Sequence, residues 1–279
     1  MLALCLVLVA ITAIGNVWYL QYKNKEITVA SQESARKITD MDTQLSKIKQ
    51  QKIEAARKAE EALDAADAKK AAEDSIINGS AGSTMIDSKL CNKSKSHNNP
   101  ASIDVVVNKK HCIQPLGYVP NVVTSNSATL SVQVIDDFNQ LFAAAAAAGQ
   151  PFYVTSSYRS YATQVSTYRK WVATSGQVAA DTYSARPGYS EHQTGFAFDV
   201  AANGCALDCF GSTTQYKWFQ ENAASYGFIQ RYYKGMEDVT GYKAEEWHYR
   251  YVGREVAKGM RAKGIKTLEQ YWNVPGGDY

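Results

Sequence analysis

The sequence predicts an α+β domain, a small and mainly antiparallel sheet flanked by helices, preceded by an apolar N-terminal membrane segment and a helical stalk. Three observations carry this reading. Composition changes sharply along the 279 residues, from apolar to charged and alanine-rich, then to Gly, Ser, Asn and Lys, then to a mixed aromatic sequence. Two late segments, Gly195–Val200 and Trp247–Val252, alternate with the period of two that marks a strand with one packed face. Stretches with helical spacing of apolar residues lie around them.

Residues 2–20 are almost purely apolar, with no charge before Lys23. That length just spans a bilayer core of about 30 Å. The rival is a secretory signal with Ala13-Ile14-Gly15 as a small-x-small cleavage site, although no basic residue precedes the apolar run. A buried soluble helix is the third reading, and nothing nearby offers it a partner. Lys23 and Lys25 follow the span, which the positive-inside rule reads as a cytoplasmic C-terminal side. The cysteines and the chemistry described below point to the opposite orientation.

Residues 1–22 therefore form the expected anchor or signal and 23–75 the stalk. Residues 76–114 form a linker and the start of the ectodomain, and 115–279 the main domain. From Glu26 to Asp74 there is no Gly or Pro, and Ile38, Met41, Leu45 and Ile48 recur at three and four. Ala55, Ala59, Ala62 and Ala66 continue that register. This is the pattern of a long helix, either a coiled coil that pairs two chains or a solitary charged stalk. Roughly fifty helical residues would reach about 75 Å. Asn78 to Pro100 reads as a flexible linker.

In the main domain, Leu130 to Ala148 is expected as a helix with Val132, Ile135, Phe138, Leu141 and Phe142 on one side and Gly149 stopping it. Phe152 to Thr155 reads as a short strand, Tyr161 to Ser175 as a second helix and Thr213 to Tyr226 as a third with Trp218 and Phe219 inward. Gly227-Phe228-Ile229 begins another strand, and Arg254 to Lys263 is a late helix.

The chemistry is concentrated in two places. Only four histidines occur in the chain; His192 lies in Ser190-Glu191-His192-Gln193-Thr194-Gly195-Phe196-Ala197-Phe198-Asp199, and His248 in Glu245-Glu246-Trp247-His248. Two histidines and Asp199 can supply three ligands to one metal ion, leaving a fourth place for water as in catalytic zinc sites. Alternation puts Phe196, Phe198 and Val200 on the packed face and Asp199 on the other, beside the small Gly195 and Ala197. A plain strand through Trp247 would put Glu246 on the face of His248, whereas a turn before Trp247 would bring Glu245 there. Spacing leaves that choice open.

These segments belong to a longer series. Ser156-Ser157-Tyr158-Arg159-Ser160 with Gln164, Ala185-Arg186-Pro187-Gly188-Tyr189-Ser190-Glu191-His192, Gly195-Phe196-Ala197-Phe198-Asp199, and Glu245-Glu246-Trp247-His248-Tyr249-Arg250-Tyr251-Val252-Gly253 follow one another. In that order they resemble the D-alanyl-D-alanine carboxypeptidase family of zinc peptidases, of the VanY type, over residues 115–272. The resemblance implies His192, Asp199 and His248 as ligands of one Zn2+ per chain and Glu245 as general base. It also implies Arg159 on substrate and developing oxyanion, and Gln164 and Ser190 at substrate-contacting positions. The chain departs from the family at Glu246, where proline is usual, and so carries a second carboxylate beside the base. The implied substrate is a peptidoglycan stem peptide outside the cell, cut to release its terminal D-alanine. An L,D-carboxypeptidase or an endopeptidase with the same metal centre, and a non-catalytic wall-binding module, are the alternatives.

Cys91, Cys112, Cys205 and Cys209 form an even set beyond Cys5. In an exported chain that favours disulfides, and proximity pairs Cys205 with Cys209 and Cys91 with Cys112. The net charge is +3, with Lys and Arg spread through the chain rather than interleaved with aromatics, so nucleic-acid binding has no support.

Overall fold

The structure, a computed structural model, describes residues 96–279 and, nearer the N-terminus, 18–19, 21–26, 28–29, 31–41, 43–44, 47 and 51. The chain divides into two compact units, Met1–Ala62 and Leu63–Tyr279. In the first, every described residue is helical. Lys23 pairs with Glu26 and Lys37 with Glu33 at helical spacing, while Ile38 and Met41 are exposed. Among the described residues no helix is long and apolar enough to cross a membrane. The expected apolar span up to Val17, and the expected linker up to residue 95, lie outside the described residues.

The second unit opens with a hairpin of β1 (Val122–Ser125) and β2 (Ala128–Ser131), in register Val122↔Ser131 to Ser125↔Ala128. Asn126 and Ser127 turn it with φ of 48° and 63°, the paired left-handed geometry of a two-residue hairpin loop. This corrects the expected helix from Leu130. Leu130 lies in β2, Val132 is exposed, and helix α1 starts only at Ile135 and runs to Ala147. The rest of the expectation holds, since Phe138 and Leu141 are buried and Gly149 ends the run with φ of 69°.

The main sheet has the order β3-β4-β7-β6 and is antiparallel throughout. Its strands are β3 (Tyr153–Ser156), β4 (Ala197–Ala202), β6 (Phe228–Tyr232) and β7 (Glu245–Tyr251), and the short β5 (Cys205–Ala206) folds back on β4. Helix α2 (Tyr161–Ser175) and helix α4 (Arg254–Lys263) have the expected bounds, with α3 (Thr214–Asn222) between them and α5 (Leu268–Trp272) after them. Ser160 caps α2 by accepting from the amide of Thr163, and Gly264, with φ of 66°, ends α4.

Period-two alternation sorts the sheet into two chemically different faces. Phe198, Val200, Phe228, Tyr249 and Tyr251 lie on one face and join Phe138 and Leu141 of α1 and Phe219 of α3 in the main core. Phe198 meets Phe138 edge-on at 5.1 Å between centroids, and Phe219 lies 4.6 Å from Tyr249. The other face carries Asp199, His248, Arg250 and Arg231, all buried. One apolar face holds the sheet on its helices; the opposite face holds the ionisable groups.

Cys205 and Cys209 form the expected disulfide, with Cα atoms 5.3 Å apart. Cys112 is disulfide-bonded as well, and its expected partner Cys91 lies outside the described residues.

Candidate metal centre

Asp199 and His248 are cross-strand partners in the β4–β7 ladder, so their side chains leave the same face a few ångströms apart. Asp199 Oδ1 stands 3.3 Å from His248 Nδ1. His192 reaches the same point from a different element. It sits on a 3-10 turn, Glu191–Thr194, whose exit is Gly195 in the left-handed region at φ of 71°. A Cβ on Gly195 would come 3.0 Å from the amide nitrogen of Ser131, so conformation and space both call for glycine. His192 Nδ1 donates to the carbonyl of Ser157 at 2.7 Å, which leaves Nε2 as the unprotonated nitrogen, 3.3 Å from Asp199 Oδ2.

The three side chains are buried, and each offers a ligand atom within 4.8 Å of the others. Asp199 Oδ1 is buried yet makes no hydrogen bond among the described residues. A tetrahedral zinc with bonds of about 2.0–2.1 Å sets its ligands roughly 3.4 Å apart. Separations of 3.3 Å and an orphaned carboxylate oxygen fit that ion. Burial raises the Asp199 carboxyl, but the adjacent His192 and His248 outweigh it and hold it far below the ordinary carboxylate range.

The two glutamates separate clearly. Between Gln230↔Tyr249 and Tyr232↔Glu245 two steps on β6 match four on β7. A regular strand would put Glu245 and His248 on opposite faces; the bulged register brings Glu245 Oε2 to 3.4 Å from His248 Nδ1. Burial pushes the Glu245 carboxyl up, with His248 opposing. Glu246 instead packs over Gly211, where a Cβ would come 2.9 Å from its Cγ. The geometry resolves what spacing left open: Glu245 faces the ligand cluster and Glu246 does not.

Arg159 is held rather than free. Nη1 donates to Gln164 Oε1 at 2.9 Å, Nη2 donates to Ser156 Oγ at 2.6 Å, and its amide donates to the carbonyl of His192 at 3.2 Å. Burial lowers its pKa, against the attraction of Asp199 and Glu245. Gln164, 1% exposed, uses its other end to donate to the carbonyl of Ala185 at 2.7 Å. Its polar groups thus aim Arg159 and tie α2 to the loop before His192. Ser190 is buried at the start of the 3-10 turn, where its carbonyl accepts from the amide of Gln193.

Sequence reasoning passed over Glu191, quoted only as a neighbour of His192. It is fully buried, 3.3 Å from His248 Nε2 through Oε2, and ion-paired through Oε1 to Arg231 at 2.8 Å and Arg250 at 3.1 Å. Burial would raise this carboxyl, yet the two guanidiniums hold it well below the usual range. A glutamate directly before a candidate ligand, with arginines at alternating positions of two later strands, was the available signal.

Residues 127–254 match the family model described as VanY: D-alanyl-D-alanine carboxypeptidase. The putative carboxypeptidase YodJ of Bacillus subtilis (strain 168) is 39% identical over 188 residues, spanning 62% of this chain and 68% of that one. The LdcB LD-carboxypeptidase structure superposes with a TM-score of 0.58 at 36% identity, covering 64% of this chain and 89% of LdcB. A zinc(II) complex of a mutant vancomycin resistance D,D-pentapeptidase VanY, from the VanB-type resistance cassette, gives a TM-score of 0.55 at 34% identity. It covers 62% of this chain and 99% of that one. With a shared fold, a shared sequence and its ligand cluster inside the matched span, this chain belongs to the VanY family of D-alanyl-D-alanine carboxypeptidases.

Proposed function

We propose that the chain is a zinc-dependent D-alanyl-D-alanine carboxypeptidase that removes the terminal D-alanine from peptidoglycan stem peptides, with one zinc per chain. The observation that carries this is the buried convergence of His192, Asp199 and His248 beside Glu245. When bound by these three residues, zinc supplies a Lewis acid that brings the pKa of water to about 7.

This chain's own groups do the rest. Glu245, 3.4 Å from His248 at the ligand cluster, takes a proton from the attacking water and delivers it to the leaving amine of D-alanine. Arg159, aimed by Ser156 and Gln164, meets the negative charge that gathers on the peptide oxygen. Ser190 forms part of the substrate-facing wall next to His192.

The disulfide between Cys205 and Cys209 supports a catalytic domain on the extracellular or periplasmic side. In this reading residues 2–20 anchor it to the membrane or direct its export, 23–75 act as the spacer, through which two chains pair, and 115–279 carry the catalysis.

A second reading, L,D-carboxypeptidase, draws on the likeness to the LdcB LD-carboxypeptidase. One assay separates the readings: incubate the protein with a muramyl pentapeptide ending in D-Ala-D-Ala, with the tetrapeptide and with cross-linked peptides, each with and without chelator, and follow the products by mass spectrometry. Chelator-sensitive loss of one residue is expected. Release only from the tetrapeptide would transfer the assignment to L,D-cleavage, cutting only of cross-linked peptides to an endopeptidase, and zinc uptake without any turnover to a wall-binding module.

A further inference from the structure

We infer that Glu191 is a positioning residue that fixes which nitrogen of His248 faces the metal. A neutral imidazole carries one N–H, and the hydrogen bond made by one nitrogen decides what the other can offer. Glu191 Oε2 lies 3.3 Å from His248 Nε2, on the far side of the ring from Asp199 and Glu245, which face Nδ1 at 3.3 and 3.4 Å. A carboxylate accepts and does not donate, so Glu191 holds a proton on Nε2, and Nδ1, which faces the ligand cluster, is the nitrogen left to exchange its proton for a metal ion. His192 does the reverse, donating from Nδ1 to the Ser157 carbonyl and presenting Nε2.

The surroundings keep Glu191 in that role. Its other oxygen accepts from Arg231 Nε and Arg250 Nη1. Arg231 is gripped in turn by both oxygens of Glu269 on α5, at 2.6 and 3.0 Å. Arg250 donates to the carbonyls of Val105, Ile103 and Tyr251. Side-chain exposure is 0% for Glu191, Arg231 and Arg250 and 2% for Glu269. A desolvated carboxylate between two arginines has neither water to rotate into nor freedom to turn away. Since Glu191 directly precedes His192 in the chain, one side chain ties the turn that carries one ligand to the strand that carries another.

The inference rests on the zinc reading above, and the experiment separates the two. In the zinc-loaded full chain with 15N-labelled histidine, NMR should show His248 protonated at Nε2 and metal-shifted at Nδ1. Zinc affinity, measured by competition with a chromogenic chelator, should fall ten- to a hundredfold in Glu191→Gln, the usual cost of losing such a partner. Glu269→Gln disturbs the same network without touching His248; it should lower the melting temperature and leave zinc affinity within about threefold. Ligation of His248 through Nε2, wild-type affinity in Glu191→Gln, or equal loss in both variants would overturn the inference. If Glu191→Gln fails to fold, the wild-type spectrum decides alone. Failure of the wild-type chain to take up zinc would refute the zinc reading, and this inference with it.

Discussion

Asp199 of β4 and His248 of β7 face each other in direct register, with Oδ1 and Nδ1 3.3 Å apart on the polar face of the sheet. Two of the three candidate ligand positions are thereby set by strand pairing alone, before any loop takes its place. Slipping β7 by one residue against β4 would send His248 to the aromatic face, where Phe198 and Tyr249 now pack, and leave Asp199 without it. The same alternation that buries the core therefore builds the candidate metal centre.

Glu245 and Glu246 are expected to behave very differently. Glu245→Gln should keep stoichiometric zinc and lower kcat by about 10²–10⁴-fold, the range for removing a general base. Glu246→Gln, its side chain over Gly211 on the other side of β7, should keep kcat within about threefold. Parallel measurement of zinc content and D-alanine release checks both, and a reversed order would give the proton transfer to Glu246.

His192→Ala and His248→Ala should lose zinc and activity together, because three protein ligands leave no redundancy. Equilibrium dialysis against buffered zinc reads this out. Retention of one zinc per chain in either variant would remove that residue from the ligand set.

Much of this was legible in the sequence because it depended on local periodicity. Helices α2 and α4 and the apolar faces of β4 and β7 follow from spacing alone. The β1–β2 hairpin was not legible, because Asn126-Ser127 is a weaker turn signal than Asn-Gly and Leu130 and Val132 also fit a helical pattern. Nor was the bulge in β7, which is a mismatch against β6 and so belongs to two strands at once. Gln164 and Glu191 were in view, but their partners Arg159, Arg231 and Arg250 lie up to 59 residues away, and no periodicity encodes which buried polar groups meet.

Arg159 should tolerate no simple replacement. Arg159→Ala is expected to cost about 3 kcal/mol in the barrier, some hundredfold or more in kcat/KM. Arg159→Lys should rescue little, because Ser156 and Gln164 engage two separate nitrogens of a planar fork. Gln164→Ala, which leaves the arginine in place but unaimed, should fall between wild type and Arg159→Ala. Steady-state kinetics on a pentapeptide orders the three, and an unaffected Gln164→Ala would deny it the aiming role.

His111 gives the folded domain a pH dependence separate from the metal centre. Its side chain is buried, Nδ1 meets Asn108 Oδ1 at 3.0 Å, and Nε2 has no hydrogen-bond partner among the described residues. Burial lowers its pKa below 6.5, with Glu269 opposing. The unfolded chain then takes up a proton near pH 6.5 while the folded chain does not. The stability linked to this group is therefore complete above that pH and is lost as pH falls toward the depressed folded value. Melting temperatures of the zinc-saturated wild type and of His111→Gln between pH 7.5 and 5.5 should diverge. The wild type should fall more steeply below about pH 6.5, since glutamine has no proton to gain. Parallel curves would mean that His111 titrates alike in both states and that its burial costs nothing on acidification.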